Sequence, residues 1–354
     1  MWRNSCAQKF NYDNMKTMDN KVKILLTGDR PTGRLHLGHF VGSIQNRVKL
    51  QDEVSKAFYM VADIQALTDN ADNPGKVHDN VMEVVLDNLA CGVDPKKTTF
   101  FIQSQVPEIA ELTILFMNLV TLQQLSHNPT IKTELKEKSF EQSTPFGFLA
   151  YPVSQAADIL FCRANTVPVG IDQMPVLEQA NDIIKKFNAI YGVELFFKIN
   201  GVVSEIPRLV GIDGNAKMSK SLGNCIFLSD SDEEIERKVM QAYTDPNHIK
   251  IEDKGNVEGN VVFTYLDAFD PDKAGVAELK TQYQAGGLGD TVLKKRLTQV
   301  LIDVITPIRT RREEYAKDSA KVMKILEEGI AEARVEAAKT MLEVRKVLKI
   351  DYFD

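Results

Sequence analysis

Residues 22–39 read VKILLTGDRPTGRLHLGH. The apolar run 22–26 is typical of a short buried strand that ends at Thr27 and Gly28, and a helical pattern begins at Leu37 after a turn containing glycine and proline. A strand, a turn and a helix in this order present a nucleotide site in parallel α/β sheets. Because helix N-termini carry unpaired N–H groups and a partial positive charge, we expect phosphate to bind at this turn.

Two histidines mark the beginning of the predicted helix. His36 and His39 lie three residues apart and share one helix face, while Gly38 leaves room for a flat base beside the backbone. The pattern predicts a nucleotide cradle. Two capping histidines and a packing glycine are the alternative interpretation of the same residues.

A second motif lies far along the chain, where residues 217–221 read KMSKS. Turn-forming residues flank it, with Asp213-Gly-Asn215 before it and Gly223-Asn224 after it. Lysines that must reach a triphosphate and then release it are well placed on such a mobile loop. A solvated polar loop would explain this second motif if it stood alone, but the two motifs in this order favour a triphosphate site.

The pair resembles the HIGH and KMSKS motifs of the class I aminoacyl-tRNA synthetases. Further similar segments are 28–33 (GDRPTG), 151–160 (YPVSQAADIL) and 167–173 (VPVGIDQ). The resemblance extends from about residue 27 to the C-terminus, and the chain looks like the tryptophanyl-tRNA synthetases of the bacterial type. It implies that L-tryptophan is activated with ATP to tryptophanyl-AMP, with release of diphosphate, and is then transferred to tRNA(Trp).

The resemblance also implies a set of site residues. The catalytic residues would be His36, His39, Lys217 and Lys220. ATP would be bound by Arg30, Pro31, Thr32, Gly38, His39, Gly170, Ile171, Asp172, Leu209, Lys217, Met218, Ser219, Lys220 and Ser221. Tryptophan would be bound by Asp158, Gln155 and Gln173. We expect Mg²⁺ to arrive with the triphosphate, and we predict no metal ligands from the protein itself.

The residue types of the motifs suit this reaction. The substrate carboxylate is already a nucleophile, so the first step needs no general base. In-line positioning and neutralisation of charge at the phosphates are then sufficient, and histidine, lysine, serine and backbone N–H groups supply both.

Selection of the amino acid is expected to depend on Asp158. An indole offers one donor, its N–H, to the carboxylate. Phenylalanine has no such donor and would leave the buried carboxylate without a partner. A site of this kind lowers kcat/KM for the wrong substrate by a factor of roughly 10⁴ to 10⁵. A helix-capping role for Asp158 is the alternative. Gln155 departs from the family, because many tryptophan enzymes have methionine there and tyrosine enzymes have glutamine in a related context.

Three rival functions remain open at this point. The first is a tyrosyl-tRNA synthetase, which Gln155 favours but Asp158 and its two preceding alanines do not. The second is a small-molecule nucleotidyltransferase of the His-x-Gly-His superfamily, which gives no reason for the Asp158 segment. The third is a non-enzymatic paralogue retained for RNA binding, which would have no need of intact histidines and lysines in both motifs.

The length of 354 residues predicts two structural units. Alternating strands and helices predict a doubly wound parallel Rossmann-type nucleotide-binding sheet over 21–228, and the charged helical pattern of 229–354 predicts an all-α domain that the resemblance assigns to the tRNA anticodon. Residues 1–20 are expected to be a disordered extension. The segment 130–148 has little apolar periodicity and is predicted to connect elements of the sheet.

Composition adds few constraints. The net charge of -6 neither indicates nor excludes RNA, because phosphate contacts depend on local basic residues. Basic residues of the C-terminal part that the resemblance assigns to the anticodon are Lys294, Lys295, Arg296, Arg309, Arg311 and Arg312. The four cysteines lie far apart, which fits a reducing, cytoplasmic location. No apolar run in the sequence is as long as a membrane-spanning helix requires. The resemblance to the family implies a homodimer.

Overall fold

The computed structural model describes residues 22–138, 140, 143–204, 209–215, 217–220 and 222–353. Its centre is a five-stranded, fully parallel sheet with the strand order β3-β2-β1-β4-β5. The strands are β1 (Ile24–Asp29), β2 (Lys56–Val61), β3 (Thr98–Ile102), β4 (Thr166–Val169) and β5 (Asn200–Val203). Because the strand order reverses between β1 and β4, a crevice opens at the carboxyl ends of these two strands.

The first nine helices of the described chain lie between β1 and β4, in three groups separated by β2 and β3. They are α1 (Leu37–His39), a π-helical turn (Phe40–Ile44), α2 (Gln45–Leu50), α3 (Asp63–Leu67), α4 (Pro74–Asp79), α5 (Val81–Cys91), a 3₁₀ turn (Gln103–Gln105), α6 (Glu108–Met117), α7 (Leu122–His127), α8 (Pro129–Glu137) and α9 (Phe146–Leu160). A 3₁₀ turn (Ile171–Gln173) and α10 (Met174–Tyr191) lead to β5. The remaining helices are α11 (Asp232–Met240), α12 (Val261–Phe269), α13 (Lys273–Ala285), α14 (Asp290–Lys317) and α15 (Ser319–Leu348).

The predicted fold class, a doubly wound parallel sheet followed by helices, is confirmed. The apolar runs give β1 to β3 with bounds close to the expected ones. The predicted connecting segment 130–148 is wrong in part, because α8 forms there: Pro129 occupies the first turn and Asn128 caps it by accepting a hydrogen bond from Thr130 N. The prediction for residues 1–20 lies outside the described residues.

The helices after residue 229 share the core of the sheet. One face of β2 carries Tyr59 into a cluster that includes Leu293 and Leu297 of α14. The opposite face carries Phe58 into a cluster that includes Ala333 of α15. The division at residue 229 stays a prediction, but the hydrophobic core is continuous across it.

Arginines of α14 attach this helix to the sheet unit. Arg312 Nε donates to Asp87 Oδ1 at 2.7 Å, and Arg311 Nε donates to the carbonyl oxygen of Ala90 at 2.6 Å. Arg309 donates to the Asp230 carbonyl oxygen at 2.6 Å, a contact within the helical part itself. These three arginines have partners within the molecule, and the expectation that they contact the anticodon stays a prediction. In the described part of the chain, no helix is long and apolar enough to cross a membrane.

Candidate active site

A cavity of about 360 Å³ lies at the crevice between β1 and β4. The ends of the two strands form its walls, and α9 crosses it with one face inward. Residues that line it include Gly28, Asp29, Arg30, Ser43, Arg47, Gln65, Glu134, Tyr151, Gln155, Asp158, Pro168, Gly170 and Gln173. Several predicted site residues therefore lie around one space, although they come from segments more than 100 residues apart.

The first motif begins a helix that is held by its own histidines. His36 Nδ1 accepts a hydrogen bond from Gly38 N at 3.1 Å, and His39 Nδ1 accepts one from His36 N at 3.3 Å. A side chain at Gly38 would have its Cβ 3.0 Å from the His36 ring, so the glycine allows this close cap. Because both Nδ1 atoms accept, the neutral rings carry their protons on Nε2.

Both imidazoles are neutral near pH 7. Burial is the main cause that lowers the pKa of His36 to about 2, and His39, Lys220 and Lys217 contribute to the same shift. Burial lowers the pKa of His39 to about 3, although the Asp29 carboxylate opposes this. A neutral imidazole with its proton on Nε2 is a hydrogen-bond donor without a full charge, which suits contact with phosphate oxygens.

The second motif packs directly on the first. Met218 Sδ accepts from Gly38 N at 3.3 Å, and Met218 N donates to the Leu209 carbonyl oxygen at 3.3 Å. The loop is stabilised by Asn224, whose Oδ1 accepts from Ser219 N at 2.8 Å. The chain after the loop pairs with the chain on both sides of His36, since Leu37 N donates to the Ile226 carbonyl oxygen and Leu228 N donates to the Leu35 carbonyl oxygen, both at 3.0 Å.

Lys220 connects the loop to the turn after β1. Its Nζ donates to the carbonyl oxygen of Gly33 at 2.6 Å, and Gly33 has a φ of 131°, a conformation that favours glycine. Burial lowers the pKa of Lys220 to about 8, although Asp29 and Asp87 oppose this. The ammonium group is thus held at the turn after β1 by a neutral carbonyl, which an anionic ligand can replace as its partner.

Asp158 lies on α9 and is 1% exposed. Its Oδ1 accepts from Gln103 Nε2 at 2.7 Å, whereas its buried Oδ2 has no hydrogen-bond partner. Burial and, to a smaller extent, the Asp63 carboxylate raise the pKa of Asp158 to about 7, although the hydrogen bond from Gln103 opposes this. A buried acceptor without a partner is unfavourable, so a donor from a ligand would stabilise it.

The other predicted residues lie at different depths. Gln155 is one helical turn from Asp158, and Gln155 and Gln173 both line the cavity. Asp172 is tied to α8, because its carbonyl oxygen accepts from Thr130 Oγ1 at 2.7 Å. Ile171 is 69% exposed, Leu209 is buried, and Pro31 is buried beside the half-buried Thr32. Ser221 lies outside the described residues.

A network of polar groups supports the wall formed by β1. Arg47 Nη2 donates to Asp29 Oδ1 at 2.9 Å and to Ser43 Oγ at 2.7 Å. Asn88 Nδ2 donates to Asp29 Oδ2 at 3.0 Å. Although burial raises the pKa of Asp29, Arg47 and the other donors hold it well below its ordinary value.

Comparisons with known proteins are consistent with this geometry. The model of a family described as tRNA synthetases class I (W and Y) matches residues 18–306. The chain belongs to this family. Curated relatives include the tryptophan–tRNA ligase of Clostridium longisporum, 54% identical over 335 residues that cover 94% of this chain and 98% of the relative. The enzyme of Streptococcus pyogenes serotype M3 is 53% identical, covering 93% of this chain and 99% of the relative.

Solved structures of class I tRNA synthetases give the same result. The tryptophanyl-tRNA synthetase of Campylobacter jejuni complexed with ADP and tryptophan is 30% identical, with a TM-score of 0.80, covering 92% of this chain and 99% of that one. The corresponding enzyme of Mycoplasma pneumoniae is 26% identical, with a TM-score of 0.77, covering 93% and 98% of the two chains. Within the family this chain is therefore an aminoacyl-tRNA ligase of the tryptophan type, and the three rival functions are not supported.

Several residues of this class I site were not predicted from the sequence. Gln103 contacts Asp158, Arg47 binds Asp29, and Glu134 lines the cavity beside Tyr151, whose pKa is raised by burial and by that carboxylate. Their only signal in the sequence is a polar residue among apolar ones, which is too common to be informative. Within the described ranges, no group of three or more His, Cys, Asp or Glu residues is arranged to hold a metal ion.

Proposed function

We propose that this chain activates L-tryptophan in the cavity between β1 and β4 and binds ATP where its two motifs meet. The unpartnered Oδ2 of Asp158 is the observation that carries the proposal. An indole N–H is a donor only, so it matches an ionised carboxylate that can only accept. The ammonium group of tryptophan is bound by Gln155 and Gln173, with the Glu134 carboxylate providing opposite charge.

ATP lies across the helix start formed by the first motif. Arg30, Pro31, Thr32 and Gly38 contact its phosphates and base. Gly170, Ile171 and Asp172 hold the ribose, for which a carboxylate can accept two hydroxyl hydrogen bonds. Leu209 packs near adenine. On the loop side, the pyrophosphate end is met by Lys217, Met218, Ser219, Lys220 and Ser221.

The reaction proceeds in two substitutions. A carboxylate oxygen of tryptophan attacks the α-phosphorus of ATP, the bond from that phosphorus to the bridging oxygen breaks, and diphosphate leaves. A ribose hydroxyl at the 3′ end of tRNA(Trp) then attacks the carbonyl carbon of the adenylate, and AMP leaves. His36, His39, Lys217 and Lys220 stabilise the negative charge that moves onto diphosphate in the first step, without a general base.

Mg²⁺ enters this site as part of the substrate. It prefers phosphate oxygens with water and one or two carboxylates over a cage made by protein alone. The two lysines of the loop and the Nε2–H groups of the histidines act on the same phosphates as the ion. Its contribution is to neutralise triphosphate charge, and the residues of this chain orient that triphosphate against the tryptophan carboxylate.

The assembly and the RNA contacts belong to the proposal as well. The helical part after residue 229 binds the anticodon through basic residues that include Lys294, Lys295, Arg296, Arg309, Arg311 and Arg312. Two copies form a homodimer, for which exposed apolar residues of the sheet unit such as Ile114, Leu122 and Phe146 provide contact area. Light scattering coupled to gel filtration measures the assembly state.

The described cysteines, Cys91, Cys162 and Cys225, form no disulfide, which agrees with a cytoplasmic location.

ATP–diphosphate exchange with each aromatic amino acid tests the chemistry. Exchange that depends on tryptophan, with little on tyrosine or phenylalanine, is expected. Exchange with tyrosine and none with tryptophan would refute the assignment of the cavity. Charging of tRNA(Trp) transcript by the same preparation tests the second step separately.

A further inference from the structure

We propose that Gln103 is a positioning residue for substrate selection, which fixes the Asp158 carboxylate so that one oxygen faces the indole N–H. The inference rests on the proposed function, because it has meaning only if Asp158 binds tryptophan. Gln103 is not one of the described residues that line the cavity, so it acts through Asp158.

Gln103 is built into the sheet. It is the first residue after β3, in the 3₁₀ turn, and it is 1% exposed. Its Nε2 donates to Asp158 Oδ1 at 2.7 Å, and its Oε1 accepts from the backbone N–H of Gln65 at 3.1 Å. The side chain therefore bridges α3 and α9, two helices that border the cavity.

The contact with Gln65 determines which way the amide points. A backbone N–H can only donate, so the amide atom beside Gln65 N must be the oxygen. The NH₂ group then necessarily faces Asp158. Because this orientation is set by main-chain geometry, it does not depend on whether substrate is present.

Two consequences for Asp158 follow. Its Oδ1 is occupied by Gln103, so Oδ2 is the oxygen left for a ligand. A donor to a carboxylate also favours the ionised form, which opposes burial and the nearby Asp63 carboxylate, both of which raise the pKa of Asp158. An ionised Asp158 accepts only, and so it discriminates in favour of a substrate with an N–H.

The test compares Gln103→Leu with Gln105→Leu. Gln105 lies in the same 3₁₀ turn but is exposed, and its side chain bonds to Ser104, so it is a matched control. ATP–diphosphate exchange gives KM for tryptophan, KM for ATP, and the ratio of kcat/KM for tryptophan to that for 3-benzothienylalanine, which replaces the indole N–H by sulfur. Circular dichroism on heating checks that each variant is folded.

Gln103→Leu is expected to raise KM for tryptophan by about tenfold to a hundredfold, the usual value of a hydrogen bond to a charged group. KM for ATP should change little. The preference for tryptophan over the sulfur analogue should fall by a similar factor. The apparent pKa in the profile of KM for tryptophan against pH should rise, because Asp158 loses a donor that favours its ionised form. Gln105→Leu should match the wild type in all four measurements.

A second variant protects the test against a failure to fold. Gln103→Glu keeps the acceptor for Gln65 N and the shape of the side chain, but it replaces the donor to Asp158 by an acceptor. It should show a loss of selectivity that grows as pH rises, because two close buried carboxyl groups share a proton that restores a donor to Asp158 at lower pH. Equal losses for both amino acids and for ATP would overturn the proposal, because they would mean that Gln103 only supports the fold.

The outcomes separate the two levels of inference. If Asp158→Asn raises KM for tryptophan and the Gln103 variants behave like Gln105→Leu, the role of Gln103 is refuted and the proposed site stands. If Asp158→Asn has no effect on tryptophan, the proposed use of the cavity is refuted, and the role of Gln103 with it.

Discussion

Two aspartates line the same cavity, and their carboxylates have opposite environments. Asp29, at the end of β1, has donors on both oxygens, with Arg47 on each and Asn88 on one. Asp158, on α9, has Gln103 on one oxygen and no partner on the other. The pKa of Asp29 is held below its ordinary value, whereas burial raises that of Asp158 to about 7.

The difference separates structural charge from charge that awaits a substrate. A buried ion pair with its hydrogen bonds made costs little further free energy, but a buried carboxylate with an open oxygen does. Lys220 resembles Asp158 in this respect, because its half-buried ammonium group donates to a carbonyl oxygen and has no carboxylate among the described residues as its hydrogen-bond partner. The ion pair of Asp29 and Arg47 should therefore determine stability. The charges of Asp158 and Lys220, which are only partly compensated within the protein, should determine activity.

The largest effect is expected where a paired charge loses its partner. Arg47→Met should lower the free energy of unfolding by about 3–5 kcal/mol, because Asp29 would remain buried without its counter-charge. Urea unfolding followed by circular dichroism measures this. Lys49→Met, an exposed residue on the same helix, is the control and should change little. Similar stability for both variants would mean that water compensates Asp29, and the contrast between the two carboxylates would disappear.

Lys220→Ala tests a charge that awaits substrate. The rate of adenylate formation should fall by about 10² to 10³, the usual effect of removing one electrostatic contact to a transition state, while the fold is retained. Single-turnover formation of the adenylate measures it, and the exposed Lys250→Ala is the control. A folded variant with an unchanged rate would remove Lys220 from the mechanism.

Asp158→Asn tests the other such charge. KM for tryptophan should rise by about tenfold to a hundredfold, because the amide is a weaker acceptor than a carboxylate, and KM for ATP should change far less. Steady-state exchange gives both constants. Equal increases in the two would show that Asp158 shapes the site as a whole instead of binding the indole.

The two kinds of charge also differ in how far the sequence predicts them. His36, Gly38 and Lys220 belong to short motifs, so their chemistry is encoded by local spacing. The partner of Asp158 lies 55 residues earlier, and Asp29 and Arg47 are 18 residues apart across a turn and a helix. Such pairs exist only once the parallel strands are in register, which no local pattern specifies.

The fold shows the same limit. Apolar runs predicted β1 to β3 because these strands are buried on both faces. β5 was missed because it is an edge strand whose four residues are exposed or half-buried, and α8 was missed because its surface is mostly charged. Continuous burial is readable from a sequence, whereas an edge strand and an exposed helix depend on the neighbours that they meet.

The last expected effect is on the pH dependence of stability, whose change within any single pH unit is small, and it isolates Asp158 from its neighbours. Its pKa is raised in the folded state to about 7 from 3.8, so the folded protein keeps a proton that the unfolded chain loses between these values. The stability that this proton provides is complete below about pH 4 and is lost as pH rises toward 7. The slope should approach 1.4 kcal/mol per pH unit at most.

Wild-type data alone would not reveal this slope, because His36 and His39 act in the opposite direction. Their pKa values are lowered in the folded state, so stability increases as pH rises toward 6.5. The informative quantity is the free energy of unfolding of Asp158→Asn minus that of the wild type, in which the histidine contributions cancel. This difference should rise between about pH 4 and 7 and then become constant. A difference independent of pH would show that Asp158 ionises normally, and the contrast with Asp29 would then have no energetic basis.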